Sequence, residues 1–144
     1  MDIRLDGRNA LVTGASKGLG LAMATKFAAA GANVAILARG AEALEAARRS
    51  IGATARGKVV SLACDVSKAA ELEAAYAAAL TAFGQIDILV NNAGTAQTGA
   101  FESITAAIWQ ADFELKLFAA IRLIRVAFPA MKERRWGRII NVLN

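Results

Sequence analysis

The sequence predicts a doubly wound α/β fold, a parallel sheet covered by helices on both faces. Three observations carry that expectation. Five short apolar runs enriched in β-branched residues recur along the 144 residues, stretches of strong helix formers separate them, and glycines stand where two of those helices have to end. Strict alternation of buried strands and helices requires right-handed crossovers, which make the strands parallel and give the molecule three layers.

In chain order, "NALVT" at 9–13 reads as the first strand, and helix formers from Leu19 to Ala30 follow it across a glycine-rich turn. Gly31 lies just past that helix, where a left-handed cap excludes most side chains. "NVAILA" at 33–38 is the second strand, and Ala41 to Ser50 the second helix. "KVVSLAC" at 58–64 leads into a helix from Lys68 to Phe83, closed by Gly84. "DILVN" at 87–91 is the fourth strand, and "RIINV" at 138–142 the fifth. Between them a long helical stretch covers about 105–132. Trp109, Phe113, Leu117, Ile121, Ile124 and Phe128 form one apolar stripe along it, while Ile108, Leu115, Phe118 and Leu123 lie off that stripe. One sheet cannot cover both faces, so the long helix is expected to meet another helix, and self-association of the chain through it is the simplest arrangement.

Composition bounds the function. With 56% hydrophobic and 20% charged residues the chain can bury a core, and neither repeats nor low-complexity segments divide it. Asp2, Arg4, Asp6 and Arg8 occupy the place where a signal peptide needs an apolar core, and Lys116, Arg122 and Arg125 interrupt the most apolar later stretch. A cytoplasmic protein without a membrane span is expected. A single cysteine, Cys64, and no histidine argue against disulfides, histidine-dependent catalysis and a metal site. The net charge of +5 suits an anionic partner. The basic run Lys132 to Arg138 follows a helix, where cations complement the helix dipole, so nucleic acid is not the expected partner.

The chemistry concentrates in "LVTGASKGLG" at 11–20. Gly14, Gly18 and Gly20 stand between a strand and a helix, where bare amides at a helix N-terminus hold a pyrophosphate; Ser16 adds a hydroxyl donor. A side chain at Gly14 would obstruct the turn, and one at Gly18 or Gly20 would push away the phosphates or the neighbouring backbone. No Gly-Lys-Ser/Thr triplet follows, so this is not the phosphate loop of a nucleoside triphosphatase. The second strand ends in Ala38-Arg39, without the acidic residue that selects NAD by binding the ribose hydroxyls. Arg39 offers a planar fork to a 2′-phosphate and Lys17 a second cation, so NADP is expected over NAD.

Four motifs in register resemble the short-chain dehydrogenase/reductase family: Thr13-Gly14-Ala15-Ser16-Lys17-Gly18-Leu19-Gly20, then Cys64-Asp65-Val66, then Asn91-Asn92-Ala93-Gly94, then Gly137 to Val142. The resemblance implies an NAD(P)-binding Rossmann domain over 1–144 with strand order 3-2-1-4-5, the N-terminal portion of a longer enzyme. It implies that Leu19 belongs to the cofactor turn and that Asp65 accepts from the adenine amino group while Val66 packs on the ring. The stretch from Asn91 to Gly94, with Ala93, would steady the sheet and line the ribose side. It also implies hydride transfer between a nicotinamide and an alcohol or carbonyl, with Tyr-x-x-x-Lys and a serine as catalytic groups.

Those groups are not found in this stretch of chain, so no catalytic residue is assigned. The sole tyrosine, Tyr76, has Leu80 four residues later and reads as a packing residue. Asn144 falls in the place of the family serine, and Lys116 where many members carry an asparagine that holds a relay water. The 144 residues alone are expected to be inactive. The competing reading is a non-catalytic module that binds NADP or pairs with another subunit.

Overall fold

The computed structural model describes residues 2–95 and 98–143. Five parallel strands, β1 (Asn9–Thr13), β2 (Asn33–Ala38), β3 (Val59–Ala63), β4 (Ile88–Asn91) and β5 (Arg138–Asn141), form one sheet in the order β3-β2-β1-β4-β5. Helices α1 (Gly18–Ala29), α2 (Ala41–Gly52), α3 (Ala69–Phe83), α4 (Ala106–Phe113) and α5 (Ala119–Glu133) connect and cover it.

Alternation along the strands sorts the core into two layers. On β1, Ala10 and Val12 face a cluster built with Ala24 and Ala28 of α1 and Leu44, Ala47 and Ile51 of α2. Leu11 points the other way, into a cluster with Leu72, Ala75 and Tyr76 of α3 and Leu123, Ala127 and Met131 of α5. Tyr76 is thus a core residue, and burial raises its phenol pKa above the usual 10.0. β1 and β4 are buried end to end and β2 except at its two end residues, while β3 is only partly covered and β5 is largely exposed. The expectation of five buried strands therefore fails at the two edges of the sheet, where each strand has one neighbour.

Gly84 caps α3 at φ +83 and Gly31 follows α1 at φ +105, so both glycines hold the left-handed backbone that ends their helices. The long helical stretch is not one α-helix: a π-helical turn, Glu114–Phe118, joins α4 to α5. Its sheet-facing residues are Ala119, Leu123, Ala127 and Met131, whereas Trp109, Phe113, Leu117, Ile121 and Phe128 of the stripe stay exposed.

The strand starts are tied together by buried polar groups. The Asn33 amide donates to Asn9 Oδ1 at 2.9 Å, and the backbone N–H of Asn9 donates to Asp87 Oδ2 at 2.9 Å. Asp87 is 1% exposed, and the guanidiniums of Arg134 and Arg8 stand 3.8 and 3.9 Å from it. This polar rung leaves the opposite, C-terminal ends of the strands free to build a site.

Candidate functional site

A cavity of about 880 Å³ opens at the C-terminal ends of β1, β2, β4 and β5. A crevice at that end of an open parallel sheet is where such folds bind ligands. Gly14, Ser16, Lys17, Gly18 and Leu19 line one wall, between the end of β1 and the start of α1. Arg39 closes the β2 side, and Val66 and Cys64 the β3 side. Asn91, Ala93 and Gly94 come from β4 and the segment after it.

The glycines of the turn act for different reasons. At Gly14 (φ +63) a Cβ would stand 2.9 Å from Ala93 Cα, so only hydrogen lets the turn lie against the segment after β4. Gly20 lies buried behind the turn rather than in the cavity wall, and a Cβ there would overlap the Gly14 carbonyl oxygen. Gly18 meets nothing within 4 Å; its φ of +58 is what requires glycine. The expectation that bulk at Gly18 would press on neighbouring backbone is corrected accordingly. Helix α1 starts with no side-chain cap, so its first-turn amides are left to other acceptors, the donor set a phosphate needs.

Two residues whose particular contacts sequence reasoning did not give hold this arrangement. Thr13 Oγ1 accepts the N–H groups of Asn92 and Ala93, both at 3.0 Å, and donates to the Val90 carbonyl. The Asn92 side-chain amide donates to the carbonyls of Thr13 and Gly14 at 3.2 and 3.1 Å. Together they clamp the glycine turn to the end of β4. Both stood inside the quoted motifs, but a clamp between segments 79 residues apart has no local signature.

Asn91 donates from Nδ2 to Asn141 Oδ1 at 2.8 Å across the β4–β5 pair, while its own Oδ1 is buried without a hydrogen-bond partner among the described residues. Asp65 is placed off the main cavity, beside a smaller one of about 290 Å³. Its Oδ1 accepts the hydroxyl and N–H of Ser67 at 2.6 and 3.0 Å. The Ser67 hydroxyl is the main cause of its lowered carboxyl pKa, with smaller pulls from the Ser67 N–H, Lys68 and Arg39. Burial, with Glu71 and Asp65 nearby, pushes the Cys64 thiol up to about 11, so it is no nucleophile at neutral pH.

Lys116 is not a solvated helix lysine. It lines the cavity from the π-helical turn, and its ammonium stands 3.1 Å from Asp112 Oδ1. Asn144 lies outside the described residues. Among the described residues no group of three or more His, Cys, Asp or Glu is placed to hold a metal, and no helix is long and apolar enough to cross a membrane.

A doubly wound sheet whose glycine turn, uncapped helix and basic residues meet at its C-terminal edge defines a nucleotide-binding α/β protein. Residues 8–143 match the short chain dehydrogenase family, and the chain belongs to it. D-beta-hydroxybutyrate dehydrogenase of Cupriavidus necator is 42% identical over 139 residues, 96% of this chain and 53% of the relative. D-threitol dehydrogenase of Mycolicibacterium smegmatis is 38% identical over 141 residues, 98% of this chain and 54% of the relative. L-sorbose reductase from Gluconobacter frateurii, solved with NADPH and L-sorbose, superposes with a TM-score of 0.91 at 37% identity, over 96% of this chain and 53% of that one. A metagenomic short-chain oxidoreductase in complex with NADP gives 0.87 at 40% identity, over 94% and 61%. The chain spans about half the length of the curated relatives it matches.

Proposed function

We propose that these residues form the NADP-binding half of a short-chain dehydrogenase/reductase that interconverts an alcohol and a carbonyl. The observation that carries the cofactor choice is the charge of the cavity wall: Lys17 and Arg39 line it, and among the described residues no Asp or Glu does. When bound, the dinucleotide supplies the hydride chemistry. The chain's own part is to hold it, with the amides of the Gly14–Gly20 turn and the Ser16 hydroxyl toward the diphosphate and Arg39 and Lys17 toward the 2′-phosphate. Val66 packs on the adenine. Asp65, with one oxygen occupied by Ser67, keeps Oδ2 for the adenine amino group. Asn91, Ala93 and Gly94 line the ribose side.

Titration of NADPH and NADH by calorimetry tests the reading. NADPH is expected to bind more tightly, and Arg39→Asp to reverse the order, since losing a charge-assisted phosphate contact weakens NADPH by ~1.5–3 kcal/mol. Identical isotherms for the two cofactors would remove the assignment of Lys17 and Arg39.

The exposed stripe on α4 and α5 supports a second copy of the chain as its partner. Phe113, Leu117 and Phe128 are 45%, 48% and 52% exposed along the run from α4 through the π-helical turn to α5, and of these elements α5 already covers the sheet with its other face. An apolar band of that length on one face is an interface signature.

A further inference from the structure

The two cavities adjoin. They share Arg39, Thr95 and Leu115, and the smaller one is also bordered by Asp65 and Asp112. Two carboxylates therefore flank the same space as the guanidinium on which the proposed phosphate preference rests. A carboxylate accepts the fork of an arginine as a phosphate does, so each is a competitor for Arg39.

The two acids are restrained differently. Asp65 is held locally: Ser67 occupies its Oδ1, and its backbone N–H donates to Glu71, which also pairs with Lys68 at 3.4 Å. Asp112 stands on α4 with its side chain 16% exposed; the ammonium of Lys116, one turn on and 28% exposed, pairs with it at 3.1 Å by charge alone, for the buried Oδ1 has no hydrogen-bond partner among the described residues. The other charges of this segment are committed, because Glu114 accepts from Arg122 at 2.9 Å. Lys116 is delivered by the π-helical turn, a departure from α-helical spacing that is costly and recurs at functional sites. Its stem lies along Gly94, where an added Cβ would touch Cγ and Cε at 3.7 Å.

We infer that Lys116 is a positioning residue for cofactor choice: by holding Asp112 across the π-helical turn it leaves Arg39 to the 2′-phosphate. The inference rests on the NADP reading above. Without the ammonium, Asp112 is a largely buried carboxylate whose remaining cation across the small cavity is Arg39. The guanidinium then turns from the phosphate toward the acid. NADH has no 2′-phosphate, so its binding does not depend on that competition.

The test measures dissociation constants of NADPH and NADH by calorimetry for the 144-residue chain and three variants, each checked for folding by circular dichroism and thermal melting. Lys116→Met is expected to lower the preference for NADPH roughly three- to tenfold, the scale of one partly buried charge acting across a small cavity. Asp112→Asn is expected to keep the parental preference, and the double variant Asp112→Asn/Lys116→Met to restore it. A direct contact between Lys116 and the phosphate predicts no restoration, and a merely structural role predicts equal weakening of both cofactors. Either result, with a parent that prefers NADPH, overturns this inference alone. A parent without preference overturns the cofactor reading as well.

Discussion

At the scale of single residues, Thr13 shows how one hydroxyl fixes the shape of the site. Its Oγ1 receives two backbone N–H groups that no helix or strand ladder satisfies, from Asn92 and Ala93. Valine has the same shape without the acceptor, so Thr13→Val leaves both donors facing a methyl group. Unmet donors of this kind cost about 1–3 kcal/mol. The expected outcome is a fall of that size in unfolding free energy, seen as a lower urea midpoint at unchanged slope, together with weaker NADPH binding because the glycine turn loses its anchor. A variant as stable as the parent would show that the two amides find other partners. Thr13, Gly14 and Gly20 all stood in one quoted stretch, so the turn was legible in the sequence. Their separate duties were not: what excludes a side chain at Gly14 is Ala93, and at Gly20 the Gly14 carbonyl, contacts that exist only once β1 and β4 lie side by side.

At the scale of elements, α2 is tied to the edge strand β3 by Glu45. Its carboxylate accepts from Arg48 at 2.6 Å and from the Ser61 hydroxyl at 3.0 Å, and these bonds lower its pKa from 4.5 to about 2. The folded pKa is depressed, so the contact stabilises the fold above pH 4.5 and that stabilisation is lost as pH falls toward 2. Glu45→Gln is accordingly expected to flatten the decline of the thermal midpoint across that window while changing little at neutral pH beyond the loss of a surface pair. An unchanged acid profile would mean that the Arg48 and Ser61 bonds do not persist in solution. Strand boundaries were legible because apolar runs such as 9–13 and 33–38 have abrupt polar or glycine ends. The π-helical turn was not, since Glu114 to Phe118 are ordinary helix formers and carry no local sign of a wider turn. The asymmetry between edges and centre was also hidden: "RIINV" is as apolar as "DILVN", and only the strand order leaves β5 exposed.

At the scale of the whole molecule two surfaces are candidates for the proposed self-association. One is the stripe on α4 and α5, with Trp109 stacked on Phe113 at 5.9 Å and Leu117, Ile121 and Phe128 continuing it. The other is the outer edge of β5, where Ile140 is 41% exposed and the strand pairs only with β4 among the described residues. Edge pairing is weakly selective and grows without closure, whereas a helical stripe that packs on its own copy closes as a dimer. A charge placed on each surface separates the two. If the chain self-associates through the stripe, Phe113→Glu/Phe128→Glu is expected to convert the sedimenting dimer into a monomer that still binds NADPH, because both side chains are exposed and neither lines the cavity. Ile140→Lys is expected to leave the dimer intact and only to suppress larger aggregates. If the lysine dissolves the dimer and the two glutamates do not, the interface is the sheet edge and the stripe has some other occupant.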